Sequence, residues 1–234
     1  MARWRGEGGQ HQGARPYQED SWALKQLADG GLLAVVCDGM GGHAGGEVAS
    51  KAAVAAFMSA MEQGKKLADG LAAANDAVRQ AAEKKPDLAG MGCTLVGVLV
   101  KGDDVAWISV GDSPFFLADD GKLTRLNADH SMAPQIDALV TRGALTREEA
   151  EHHPARHSLR EAVMGEPLEL IDEGKRAVGA GAKLLVCSDG VQTLPEKELL
   201  AKAKRPVTAI VDAVIAAKKK HQDNVTVVLL ERES

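Results

Sequence analysis

Two apolar runs, Leu32 to Cys37 and Leu184 to Cys187, lead into aspartate–glycine pairs: Asp38-Gly39 directly, and Asp189-Gly190 after Ser188. Short apolar runs that stop at turn residues read as strands. At 234 residues and 45% hydrophobic content, the chain has enough material for a real core. It is expected to form one large layered α/β domain over residues 1–234.

Further strands are readable. Cys93 to Val100 and Val105 to Val110 flank Lys101-Gly102-Asp103-Asp104, a hairpin signature. Phe115 to Ala118 and Leu123 to Leu126 flank Asp119-Asp120-Gly121, another hairpin. Val225 to Leu230 is a strand, and Ser21 to Leu24 a short candidate. Helical spacing of apolar residues covers Glu47 to Gln63, Ala68 to Lys84 and Pro206 to Lys220, with Gly64 as a stop signal. Consecutive hairpins imply antiparallel sheet, and helices in blocks argue against a doubly wound parallel sheet. Between Asp129 and Gly165 the pattern weakens to two short helical pieces, around Ala133 to Arg142 and Thr146 to Glu151. This segment, about 129–165, reads as a surface flap.

Composition removes several function classes. The net charge is −5 and no basic stripe is visible, so a nucleic-acid partner is not expected. No apolar stretch approaches the roughly 20 residues of a spanning helix, so no membrane association is expected. Met1 to Gln12 lacks the apolar region of a secretory signal. Cys37, Cys93 and Cys187 each sit in an apolar run without metal-ligand spacing, and read as buried core residues in a reducing, cytoplasmic setting.

Aspartate recurs at strand ends. Asp38, Asp112 and Asp189 follow apolar runs, Asp223-Asn224 opens the last strand, and Glu19-Asp20 precedes Ser21. Any one of these is ordinary turn chemistry. Recurrence at all of them points to converging carboxylates, which raise one another's pKa unless a cation sits among them. An oxygen-only donor set suits Mg²⁺ or Mn²⁺ rather than zinc. The loop Asp38-Gly39-Met40-Gly41-Gly42-His43-Ala44-Gly45-Gly46-Glu47 lets backbone approach a ligand closely, yet matches neither the dinucleotide fingerprint nor the P-loop. His152-His153 is a further metal candidate, with helix termination at Pro154 the simpler reading.

At these residues the chain resembles the metal-dependent protein phosphatase family, the 2C-type serine/threonine phosphatases, in its bacterial form. The resemblance runs through Arg15 to Ser21, Val36 to His43, Gly92-Cys93-Thr94, Val110 to Ser113, Ser188-Asp189-Gly190 and Asp223 to Thr226. The segment Leu139 to Pro154 resembles the family's flap. The resemblance implies an α+β fold, a four-layer αββα sandwich of two antiparallel sheets flanked by helices.

It also implies roles. Asp38 bridges two metals, the Gly39 carbonyl binds one, Asp189 and Asp223 hold the other, and Asp20 ligates directly or through water. Asp112 matches a third, weaker metal position shared with Asp189. Arg15 matches the arginine that grips the substrate phosphate. The implied reaction is hydrolysis of phosphoserine or phosphothreonine by direct attack of a metal-bridging hydroxide, with two Mn²⁺ or Mg²⁺ ions. No covalent phosphoenzyme is needed, so Ser21, Ser113 and Ser188 read as supporting residues.

The sequence departs from the family where Met40 follows Asp-Gly, a position that holds a histidine acid in many eukaryotic members. The general acid is therefore open, with His43 a nearby candidate. Pro114 stands where arginine is common, and His157 where the flap more often has asparagine. The implied partners are phosphorylated proteins, a Ser/Thr kinase or its targets, acted on by a monomer. Two other readings remain: a non-enzymatic binding module of the same fold, and a hydrolase of small phosphate esters.

Overall fold

The computed structural model describes residues 4–41 and 45–233. Among these residues twelve strands form: β1 (Trp4–His11), β2 (Ser21–Gln26), β3 (Leu32–Cys37), β4 (Gly39–Met40), β5 (Gly92–Cys93), β6 (Leu95–Lys101), β7 (Asp104–Val110), β8 (Phe115–Asp119), β9 (Lys122–Arg125), β10 (Asp172–Ala177), β11 (Lys183–Cys187) and β12 (Val225–Arg232). The helices are α1 (Gly45–Glu62), α2 (Leu67–Lys84), α3 (Ala133–Thr141), α4 (Arg147–Glu151), α5 (Glu196–Lys202) and α6 (Val207–Ala216). One sheet runs β1-β12-β11-β8-β9 and the other β10-β7-β6-β3-β2, with β4 and β5 pairing as a short ribbon. Every pairing is antiparallel.

Alternation along the central strands builds three layers of core. In β3, Leu32, Ala34 and Val36 face the space between the sheets. Leu33, Val35 and Cys37 face α1 and α2, meeting Phe57, Leu71 and Val78. In β11, Leu184 and Val186 point inward to the same inter-sheet core. Leu185 and Cys187 point to Leu199, Ile210 and Val214 on α5 and α6. Both central strands are thus buried on two faces, and both read as unbroken apolar runs for that reason. The resulting order is helix, sheet, sheet, helix. Truncating a fully buried leucine such as Leu33 to alanine in such a core costs roughly 2–5 kcal/mol. Low aromatic content lets helices approach: the Phe57 ring lies over Gly97 of β6, where a Cβ would stand 2.3 Å from it.

Both expected hairpins form. Lys101 pairs with Asp104, and Gly102 takes φ +60° at the first central position, as a II′ turn requires. Asp119 pairs with Lys122 around Asp120 (φ +47°) and Gly121 (φ +73°), the I′ pattern.

Several elements differ from expectation or were not read from sequence. The run from Cys93 is broken at Thr94, which leaves the ladder to bond Asp38. The helix expected through Lys220 ends at Ala216, and Lys218 takes φ +49°. Lys218, two residues past the helix end, takes the left-handed conformation common after helix C-termini. Strands β1 and β10 are edge strands whose glycines sit under tryptophan rings: a Cβ on Gly8 would meet Trp22 at 2.3 Å, and one on Gly174 would meet Trp107 at 2.1 Å.

The flap segment carries α3 and α4 and its own small core around Ile136 and Ala150. Arg156 donates to both carboxylate oxygens of Asp137, at 2.8 and 3.1 Å. The bridge Ser131–Leu159 joins its two ends to each other, and the bridge Cys93–Val163 ties the later end to the body. Among the described residues no helix is long and apolar enough to cross a membrane.

Candidate active site

Antiparallel pairing brings the aspartates together two by two. Ser21 pairs with Cys37, so the start of β2 lies beside the end of β3, and Asp20 beside Asp38. Cys187 pairs with Val227, so the end of β11 lies beside the start of β12, and Asp189 beside Asp223. Asp112 follows β7 on the sheet that also carries β3. One pair comes from each sheet, and they meet at one end of the sandwich.

A cleft of about 510 Å³ opens there, lined by Arg15, Glu19, Asp38, Gly39, Met40, Asp112, His157, Asp189 and Asp223. Asp20 stands behind this wall rather than on it. It is 2% exposed and faces a hollow shared with Trp22 and Glu47. Its Oδ2 accepts from Ser188 Oγ and Thr226 Oγ1, both at 2.7 Å. Its Oδ1 is buried without a hydrogen bond. His43 lies outside the described residues.

The electrostatics are those of crowded anions. Burial pushes the Asp20 carboxyl up to about 7, opposed by the hydroxyl bonds of Ser188 and Thr226. Asp38 is raised well above the carboxylate range, first by burial and then by Asp20, Asp189, Asp223 and Asp112. Burial followed by Asp189 and Asp129 takes Asp112 to about 7. Asp189 is raised by burial and then by Asp223. A divalent cation relieves all four at once, and the oxygen-only donors match Mg²⁺ or Mn²⁺.

Backbone features fit the same group. A Cβ on Gly39 would stand 2.3 Å from Gly46 O and 2.4 Å from Glu19 O, so only glycine brings its carbonyl so close to the cleft. Among the described residues no three Asp, Glu, His or Cys side chains close on a single ion by themselves. The carboxylates form a wall rather than a cage, which leaves the Gly39 carbonyl and water to complete an ion's surroundings.

Several supporting residues were not singled out from sequence. Thr94 Oγ1 accepts from Asp38 N at 3.0 Å and pairs with Ser113 Oγ at 2.7 Å, while Thr94 N donates to Asp38 O at 2.8 Å. Asn224 stitches the Arg15 loop: its Oδ1 accepts from Glu19 N, and its Nδ2 donates to Gln12 O and Tyr17 O. Arg125 Nη2 donates to Asp112 O at 2.7 Å, and Nη1 reaches Asp129 Oδ2 at 3.1 Å. Thr94 and Asn224 lie within the motifs quoted above but were given no role there. Arg125 lies outside those motifs.

Ser21, Ser113 and Ser188 all sit in hydroxyl networks, Ser21 with Ser50 at 2.9 Å. His152 and His153 spend ring nitrogens on local backbone, with Glu148 O at 2.9 Å and Ala155 N at 3.2 Å. All three cysteines are free and buried.

Comparison with known proteins gives the same reading. The family model for protein phosphatase 2C matches residues 6–225. The serine/threonine protein phosphatase PstP of Mycobacterium tuberculosis is 34% identical over 213 residues, covering 86% of this chain and 40% of that protein. The serine/threonine phosphatase stp of Listeria monocytogenes is 32% identical over 234 residues, covering 94% of this chain and 92% of the relative. The chain therefore spans less than half the length of the mycobacterial relative and nearly all of the listerial one. The crystal structure of the M. tuberculosis phosphatase PstP/Ppp superposes with a TM-score of 0.84 at 33% identity, covering both chains fully. A PstP catalytic domain solved with two manganese ions gives 0.82 at 30% identity, again over the full length of both chains. With a carboxylate-walled cleft at one end of an αββα sandwich and a family model spanning nearly its whole length, the chain belongs to the protein phosphatase 2C family.

Proposed function

We propose that this chain is a metal-dependent phosphatase of phosphoserine and phosphothreonine in proteins. The observation that carries the reading is the meeting of Asp38, Asp112, Asp189 and Asp223 with Arg15 in one cleft. Asp38, Asp189, Asp223 and the Gly39 carbonyl would hold two Mn²⁺ or Mg²⁺ ions, Asp112 would serve a third position, and Asp20 would support from behind. A PstP catalytic domain solved with two manganese ions supports this choice of metal. Such ions supply Lewis acidity, lowering the pKa of water and offsetting phosphoryl charge.

The chain's own groups do the rest. The Arg15 guanidinium offers a planar fork to two phosphate oxygens and fixes the phosphorus over the carboxylate wall. Thr94 grips the Asp38 backbone at both its N–H and its carbonyl, so the Asp38 carboxylate is preorganised. Ser188 and Thr226 hold Asp20 at one oxygen and leave the other free to accept from water. Among the described residues no serine lines the cleft, and the Thr94 hydroxyl there is engaged by Asp38 N and Ser113, in keeping with direct attack by water rather than a covalent phosphoenzyme.

The substrates are phosphoproteins, with a Ser/Thr kinase or its targets as partners, and residues 1–234 act as one cytoplasmic, monomeric catalytic domain with a flap at about 129–165. Support comes from the names of the relatives, which are serine/threonine phosphatases. The test is turnover of phosphothreonine peptides against sugar phosphates and nucleotides, with Mn²⁺ present. A higher kcat/KM on the peptides is expected. The reverse order makes the chain a small-ester hydrolase.

A further inference from the structure

We propose that His157 is the proton donor to the leaving group, delivering a ring N–H proton to the serine or threonine oxygen as the phosphorus–oxygen bond breaks. The inference rests on the phosphatase reading above. Met40 leaves that role vacant, since a thioether has no proton to give.

His157 lines the catalytic cleft together with Arg15, Asp38, Asp189 and Asp223. A cationic ring there also draws the Asp189 carboxyl downward against burial, so the ring is within electrostatic reach of the carboxylate wall. Four other described histidines spend a ring nitrogen on backbone, and the remaining one, His221, does not line the cleft. His11 Nδ1 accepts from Gly13 N, His130 Nδ1 from Gly111 N and His153 Nδ1 from Ala155 N, while His152 Nδ1 pairs with Glu148 O. His157 is exposed, and neither ring nitrogen takes a hydrogen bond among the described residues.

The backbone that carries it is nonetheless fixed. Arg156 is held by both Asp137 oxygens, Ser158 N donates to Ala155 O at 3.0 Å, and Ser158 O accepts from Met132 N at 2.9 Å. A firmly mounted ring with free nitrogens, aimed into a reaction cleft, is what proton transfer needs.

Most other groups on the wall are committed. Arg15 does not release a proton at working pH. Thr94 Oγ1 is engaged with Asp38 N and Ser113. Glu19 is the rival on the wall: its Oε1 is buried against Gly46 without a hydrogen bond and burial raises its carboxyl, so Glu19→Gln is run beside His157→Asn and is expected to keep the wild-type slope. The aspartates are the ion-holding set.

The step balances. A water oxygen bonds to phosphorus, the ester bond breaks, and the departing oxygen keeps the electron pair and takes the His157 proton. The proton lost by the water returns to the imidazole through solvent. Ester and water become alcohol and phosphate. A serine or threonine alkoxide is a strongly basic leaving group and needs that proton, whereas p-nitrophenolate leaves without it.

The test uses the Mn²⁺-loaded protein and a series of aryl phosphates of similar size whose phenols span several pKa values. Similar size removes any contribution from peptide contacts. His157→Asn is expected to steepen the dependence of rate on leaving-group pKa. Turnover of phenyl phosphate should fall about 100-fold, within the usual worth of general acid catalysis, with p-nitrophenyl phosphate changed by about threefold or less. His43→Gln is expected to keep the wild-type slope. A His157→Asn line parallel to wild type, or steepening in His43→Gln instead, overturns the assignment. Wild-type protein that turns over no phosphate ester removes the phosphatase reading itself, a different result from a parallel line.

Discussion

Arg15 Nη2 stands 2.6 Å from Asp223 Oδ2, joining the loop after β1 to the start of β12. The two side chains are 49% and 39% exposed, so the pair is solvated and contributes on the order of 0–1 kcal/mol. Its importance is positional: the arginine proposed to bind phosphate rests on a carboxylate proposed to hold metal. Arg15→Lys keeps the charge but loses the two-pronged fork. It is expected to lower kcat/KM on a phosphothreonine peptide roughly 10–100-fold, the worth of one to two charge-assisted hydrogen bonds. Thermal stability should stay within about 2 °C of wild type. Steady-state kinetics beside a thermal melt decide it, and an unchanged kcat/KM would take Arg15 out of phosphate binding.

The crowded carboxyls make the metal-free protein sensitive to pH. Asp20 and Asp112 titrate at about 7, and Asp38 and Asp189 are raised, all chiefly through burial. In the unfolded chain the same groups titrate near about 4. The folded state therefore binds more protons between about 4 and 7, and stability falls as pH rises through that window. Chelator-treated protein should melt lower at pH 8 than at pH 5 by at least about 3 °C, and Mn²⁺ should raise the melting temperature more at pH 8. Asp38→Asn should flatten the metal-free slope. A slope that is flat or rising in the wild type counts against the clustered carboxyls as its source.

What was legible in the sequence follows burial. Strands β3, β11 and β12 are covered on both faces, so their apolar runs and terminal aspartates stand out. Strands β1 and β10 lie at sheet edges with mostly exposed side chains, and their sequences, WRGEGGQH and DEGKRA, carry no apolar period. Their places are fixed by tertiary contacts instead: Trp107 Nε1 donates to Asp172 Oδ2 at 2.9 Å, and Trp4 Nε1 to Gly102 O at 2.9 Å. The carboxylate set was readable as a pattern of strand ends. That Asp20 stands behind the cleft was not, because it depends on Ser188 and Thr226 reaching it from the other sheet.

The close approach of β11 and β12 gives a local test. A Cβ on Gly190 would stand 2.0 Å from Asn224 O, between Asp189 and Asp223. Gly190→Ala should destabilise by about 1–3 kcal/mol and weaken Mn²⁺ binding measured by calorimetry. Gly179→Ala, with open space around its Cβ, should change stability by less than about 0.5 kcal/mol and leave Mn²⁺ binding alone. Equal Mn²⁺ affinity in both variants would show that this contact does not set the site.

Excising residues 133–153 tests the flap. Met132 N already bonds Ser158 O, so the cut ends lie close and the body should still fold. The excised protein is expected to lose more activity on phosphothreonine peptides than on free phosphothreonine, which has the same leaving group, because α3 and α4 offer surface to a chain rather than to a small ester. Circular dichroism checks the fold. Equal losses on the two substrates would deny the flap a role in peptide access.

The most direct measurement is phosphothreonine-peptide hydrolysis by wild type and Asp38→Asn, each with Mn²⁺ and after chelation. The account predicts turnover in the Mn²⁺-loaded wild type, loss on chelation with recovery when Mn²⁺ returns, and a loss of at least about 100-fold in Asp38→Asn. Activity that survives both chelation and Asp38→Asn would contradict it.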